Sequence, residues 1–210
     1  MMILKNRFLF IALPVMLIGA CMNLTQPSPK VAFYTLEYEA GDIGETKPLP
    51  FAIRIERFSV APVYNTPRII YRDKSFIRTE YTYHKWRANP GDLVTYFLAR
   101  DMKRSGLFKA VIPRDSGIPA TYLLEGAVDE FLEWDSENTW KAVLGLSITL
   151  MAENEPDVSK RILFQRTYRA TQTCRLEHPK ALAEAMSLAM AEISARIIKD
   201  IYGQLKEREL

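Results

Sequence analysis

YLLEGAVDEFLEW (residues 122–134), DSENT (135–139) and WKAVLGLSITLM (140–151) follow one another, and this stretch decides the fold. In the first segment Tyr122, Leu124, Val128, Leu132 and Trp134 share one parity, while Glu125, Asp129, Glu133 and Asp135 share the other. A period of two is the mark of a pleated strand with one buried face. Residues 135–139 are turn-forming. The third segment returns with Ala142, Leu144, Leu146, Ile148 and Leu150 on one face. A second polar loop, 153–160, leads to a third strand over 161–173. The three predict an antiparallel meander.

Downstream, His178-Pro179 opens a helix, since proline suits the first helical position. Leu182, Met186, Ala189, Ile193, Ile197, Ile201 and Leu205 then recur at spacings of four and three. That is the stripe of a long amphipathic helix. Upstream, Asn89-Pro90-Gly91-Asp92 predicts a second helix start: Asn89 caps, and Asp92 meets the positive end of the dipole. Leu93, Val94, Phe97, Leu98 and Met102 form its apolar stripe. Gly106 supplies the left-handed stop, with Leu107 folding back on Met102.

Val31–Tyr38 reads as a first strand and Phe51–Val60 as a second, with a bulge near Glu56-Arg57 where the parity slips. Residues 40–50 form a loop, and Pro62 and Pro67 break further pairing. Arg68–Arg87 reads as a hairpin turning at Asp73-Lys74 and returning from Phe76 to Trp86. The fold class expected is α+β. It comprises a mixed, largely antiparallel sheet with two long amphipathic helices packed on it, after an N-terminal lipoprotein signal peptide and a short tether.

The 210 residues are 48% apolar and 25% charged, which fits one globular domain and excludes disorder. Nine Gly and two Cys exclude collagen-like and disulfide-scaffold classes. Residues 1–21, MMILKNRFLFIALPVMLIGAC, carry Lys5 and Arg7 and then an apolar run, Phe8–Ile18. That run is too short for a hydrocarbon core that needs ~20 residues. It is the layout of a secretory signal peptide. Leu17-Ile18-Gly19-Ala20-Cys21 resembles a bacterial lipobox, in which the Cys becomes the mature N-terminus and carries lipid. The expected organisation is a signal peptide over 1–20, lipidated Cys21 with a tether to residue 30, and one domain over 31–210. Met22 after the Cys resembles the sorting signal for the outer membrane. Loss of residues 1–20 removes Lys5 and Arg7 and leaves a near-neutral chain, with no electrostatic footprint for nucleic acid.

The search for chemistry returns little. His84 and His178 have no third ligand at metal spacing, and no HExxH, CxxC, GxSxG or phosphate loop is present. No cofactor is called for. Glu125, Asp129 and Glu133 could serve as an acid/base set. The competing account is a polar sheet face paired with Lys141 or Arg169. Cys174, alone once Cys21 is acylated, reads as a small buried residue. Tyr81, Tyr83 and Trp86, with Tyr71 and Phe76 nearby, place rings on both parities of one hairpin. One side is expected to bind a partner or a second copy of the chain.

Several blocks together resemble the ABC-type transport auxiliary lipoprotein family. Phe33-Tyr34-Thr35-Leu36 is similar to the family's opening strand. Phe58-Ser59-Val60-Ala61-Pro62 followed by Ile70-Tyr71-Arg72 is similar to its second block. Tyr83-His84-Lys85-Trp86 with Ala88 and Pro90 leads into the helix, and Asn89 stands where an acidic residue is usual. Leu124-Glu125-Gly126 with Val128 and Phe131 is similar to the central strand. The resemblance implies a non-enzymatic lipoprotein of the bacterial envelope. Its partners would be an Mce-type periplasmic protein and an inner-membrane ABC permease/ATPase complex that moves phospholipid or other hydrophobic molecules. An outer-membrane assembly lipoprotein that plugs or chaperones a β-barrel is the alternative, and a periplasmic hydrolase is a third, disfavoured by the motif search.

Overall fold

The computed structural model describes residues 29–41, 47–73, 76–136 and 139–208. The signal peptide, Cys21, most of the tether and part of the 40–50 loop lie outside the described residues, as does Lys74 of the expected turn. From Val31 onward the chain is one compact unit. Among the described residues, nine strands form one mixed sheet: β1 (Ala32–Tyr34), β2 (Leu49–Ile55), β3 (Ser59–Val60), β4 (Arg68–Arg72), β5 (Thr79–Trp86), β6 (Phe108–Pro113), β7 (Tyr122–Ser136), β8 (Thr139–Ala152) and β9 (Ile162–Thr173). Two long helices, α1 (Pro90–Arg104) and α3 (Pro179–Lys206), join a single-turn helix, α2 (Val158–Arg161). Among the described residues no helix is long and apolar enough to cross a membrane.

The expected meander is the spine. β7 pairs antiparallel with β8 from Tyr122↔Ala152 to Ser136↔Thr139, and β8 pairs antiparallel with β9. The free edge of β7 then receives β2, β3 and β4 in succession, all parallel. β6 lies outside β2, and β5 and then β1 lie outside β4. The long β7–β8 and β8–β9 ladders are antiparallel, and of the shorter ones only β4–β5 is. β6 is a strand that sequence periodicity does not announce.

Both helices begin at the expected residues, each behind a side-chain cap. The Asn89 side chain accepts from the Gly91 N–H at 3.0 Å, and the His178 ring accepts from the Lys180 N–H at 3.0 Å. Gly106 has φ 65°, the left-handed stop beyond α1. The predicted stripes of α1 and α3 are all buried. α3 packs on β8 and β9, while α1 packs on β6, β7 and α3, so the helices form one layer.

The first strand is shorter than expected. After Tyr34 the chain leaves the sheet to cross the helices. There Leu36 is buried, the Glu37 N–H donates to Ser187 Oγ at 2.9 Å, and Tyr38 Oη donates to Asp101 Oδ2 at 2.7 Å. The expected bulge at Glu56-Arg57 is a full break between β2 and β3. Two glycines make room for it. Phe58 is fully buried with its ring laid on Gly126, where an added Cβ would sit 2.2 Å from the ring. An added Cβ at Gly91 would lie 2.5 Å from the Phe58 carbonyl oxygen. The Phe58 N–H is satisfied by Thr95 Oγ1 at 2.9 Å. Gly126→Ala is therefore expected to destabilise the domain by about 1–3 kcal/mol through overpacking. Chemical unfolding of the two forms checks this, and an unchanged midpoint would mean that the ring can swing aside.

Candidate functional site

The site that sequence reading singles out is the β4–β5 hairpin, and its rings have three different fates. Trp86 is a core residue, 1% exposed, edge-on to Phe131 with centroids 5.1 Å apart. Tyr81 is half-buried, and its Oη donates to Glu133 Oε1 at 2.8 Å. Tyr83 remains 45% exposed. The three therefore do not form one open face: Trp86 is withdrawn as a surface residue, and Tyr81 is committed to Glu133. Trp86 has the opposite parity to the tyrosines and faces the core by alternation, whereas Tyr81 parts from Tyr83, of its own parity, through an irregular β4–β5 ladder. Arg68 faces Lys85 but Ile70 faces Glu80, so the residues between lose strict alternation.

Beside Tyr83 the structure brings in residues that the sequence reading left in another element. β1 lies parallel to β5, with Phe33 opposite Lys85. Phe33 is 53% exposed, and the Arg87 guanidinium stands 5.4 Å from its ring centroid. Val31, Phe33 and Tyr83 thus form an apolar strip on the outer strands, bordered by Lys85 and Arg87. Only the pairing of β1 with β5 joins them, and nothing local announces it.

Glu133 is a second finding that alternation concealed. Val128 faces Leu146 and Glu130 faces Gly145, so Asp129 is an extra residue and parity inverts beyond it. Phe131 and Glu133 turn inward. The stripe Glu125, Asp129, Glu133 is thereby dismantled. Glu125 borders an open groove of about 470 Å³ with Ser147, Thr149 and Gln165, and Asp129 accepts from Ser147 Oγ at 3.3 Å. Glu133 is buried beneath the hairpin. The pairing expected with Arg169 goes instead to Glu130, at 2.6 Å. One signal was available: Phe131 is an apolar residue in the acidic parity.

Burial pushes the Glu133 carboxyl up to about 7, against the opposing hydrogen bond from Tyr81. Asp135 and Glu177 add negative charge to the same neighbourhood and raise it further. Asp135 is itself raised by burial, and its Oδ1 is buried without a hydrogen-bond partner among the described residues. The Tyr81 phenol is held far above its usual range by burial and by Glu133. Cys174 is buried and free, and burial pushes its thiol up to about 11. A thiol held protonated in this way is inert, as expected of a structural cysteine. His84 Nδ1 lies 3.0 Å from Tyr34 Oη, and its ring sits 5.9 Å from Tyr81 and 6.3 Å from His178. Both histidines have structural work, one pinning β1 to β5 and the other capping α3. This arrangement fastens a hairpin to a sheet. It presents an apolar strip outward and keeps the Glu133 carboxyl covered.

A family model for ABC-type transport auxiliary lipoprotein components matches residues 34–198. No curated protein matches the chain significantly. Among solved structures, a Xanthomonas campestris protein of the DUF330 family is similar at TM-score 0.75 and 19% identity, covering 85% of this chain and 99% of that one. A hypothetical protein from Chlamydia trachomatis is similar at TM-score 0.51 and 7% identity, covering 74% and 98%. At these identities the likeness is one of fold.

Proposed function

Because the chain belongs to the family of ABC-type transport auxiliary lipoprotein components, we propose that it serves an Mce-type system moving phospholipid or other hydrophobic molecules across the bacterial envelope. In this reading the chain is anchored by lipid on Cys21 in the outer membrane, facing the periplasm. It acts without catalysis, as the docking or receiving component for an Mce-type periplasmic protein, while the inner-membrane permease and its ATPase supply the energy. The observation that carries the reading is the extent of the family match, which takes in β5, α1, the β7–β9 meander and α3 as far as residue 198. The fastened hairpin agrees with it. Its titratable groups hold structure together, and its outer strip of Val31, Phe33 and Tyr83 is of the kind that anchors interfaces.

Co-purification tests the proposal. The tagged lipoprotein, extracted in mild detergent, is expected to bring down an Mce-type protein. Tyr83→Ala should retain the wild-type melting temperature and lose most of that capture, because an exposed ring contributes to binding and little to folding. Capture of a β-barrel in place of the Mce-type protein would favour the assembly-lipoprotein reading.

A further inference from the structure

Arg72, Trp134, Lys141 and Thr173 form a row across β4, β7, β8 and β9. It marks one end of the sheet, and apolar side chains stand bare beyond it. Phe76 is fully exposed and Ile77 is 63% exposed on the hairpin connection after Arg72, and Leu176 is exposed three residues after Thr173. Trp134 and Trp140 are partly buried at the same end, and the Arg72 guanidinium lies 3.9 Å from the Trp134 ring centroid. Phe76 and Ile77, adjacent and both exposed, put apolar surface side by side at this end, which is available to another phase or another molecule.

The path of the chain distinguishes this end from the others. β5 leaves the hairpin connection and β1 runs parallel to it, with Ala32 opposite His84. The start of β1, where the preceding residues join, is therefore the end of β1 that faces Phe76 and Ile77. Only nine residues, 22–30, separate Cys21 from Val31, a reach of about 30 Å when extended. A domain held that close meets the bilayer at high effective concentration, so a weak apolar contact suffices.

We propose that this end of the sheet is a membrane-contact surface, with Phe76 and Ile77 entering the acyl boundary and Trp134 and Trp140 resting among the headgroups. The inference rests on the lipid-anchor reading of Cys21 and adds a second point of attachment, which orients the domain. Tryptophan settles at such interfaces because its ring is apolar and its N–H wet. Arg72 and Lys141 lie at the same end as Asp73 and Asp135, so the charges there offset one another and the apolar tip is the driving force. The strip of Val31, Phe33 and Tyr83 then flanks the attachment and stays open to a protein partner.

The test uses the full-length lipidated protein in vesicles of phosphatidylethanolamine and phosphatidylglycerol containing doxyl-labelled lipid. A bimane dye is placed on Ile77→Cys or, separately, on Val158→Cys. Val158 is exposed on α2, at the opposite end, where β7 and β8 pair through Tyr122 and Ala152. The unsubstituted chain reports any labelling of buried Cys174, and Phe76→Cys serves if Ile77→Cys does not fold. Dye at the tip is expected to be quenched several-fold more strongly than dye at position 158. Equal quenching at the two positions overturns the proposal. So does a tip dye that stays aqueous on vesicles and becomes shielded only when the transport protein is added, since the tip would then be a protein dock. Fatty-acid labelling separates the two readings. The wild type should incorporate label and Cys21→Ala should not. A wild type without label ends both readings, whereas a labelled wild type with an unquenched tip ends only this one.

Discussion

Ile197→Ala is expected to destabilise the domain by about 2–5 kcal/mol, the usual result of truncating a fully buried branched side chain. Ile197 is 0% exposed and lies on the α3 face that packs on β8 and β9 with Ile193 and Ile201. The loss combines the transfer free energy of the removed carbons with the cavity left among residues that cannot collapse. In a domain of this size the change amounts to roughly 5–15 °C in melting temperature. Leu188→Ala on the same helix is the control. Leu188 is exposed beside the groove lined by Glu37, Arg175 and Glu184, and its loss should stay within about 0.5 kcal/mol. Equal effects from the two substitutions would mean that α3 is held by something other than this sheet.

The second large effect is on pH dependence. Glu133 is shifted from its ordinary 4.5 to about 7 in the folded chain, chiefly by burial. A carboxyl raised on folding binds its proton more tightly in the native state. Its stabilising contribution is complete below about 4.5 and is lost as pH rises through 7. At about 1.4 kcal/mol per unit, that amounts to as much as about 3 kcal/mol between pH 5 and pH 8. Asp135 is raised by the same cause and acts in the same direction. Asp92 and Asp157 are lowered by Arg57 and Ser159 respectively, so they act only at more acid pH and leave this window clear. The soluble chain beginning at Met22 should therefore have a higher urea midpoint at pH 5 than at pH 8. Glu133→Gln keeps an acceptor for Tyr81 Oη and removes the charge. It should flatten most of the slope and leave the protein more stable than the wild type at pH 8. A wild-type midpoint constant across this window would mean that the carboxylate ionises without cost.

These two residues also separate what is legible along the chain from what depends on how distant strands meet. Ile197 is legible because a helix buries its stripe by a rule of spacing, and the Asn89 and His178 caps and the Gly106 stop are equally local. The β7–β8–β9 meander is legible for the same reason, since short loops join strands that alternate. The lipobox and the family motifs are likewise matters of order along the chain. Alternation places Glu133 on the wrong face because one extra residue, Asp129, between the Val128–Leu146 and Glu130–Gly145 pairs inverts the parity beyond it. The parallel edge of β2, β3 and β4, the strand β6, and the pairing of β1 with β5 that puts Phe33 opposite Lys85 join segments far apart in the chain, and no periodicity encodes which strand lies beside which. Alternation alone sends Trp86 inward and Tyr83 outward, but Tyr81, of the same parity as Tyr83, turns to Glu133 because the β4–β5 ladder slips between Arg68 and Ile70. Propensity and pattern act over a few residues and fix the elements. Register is settled only when two strands meet, and register decides which rings face water and which carboxylate is buried.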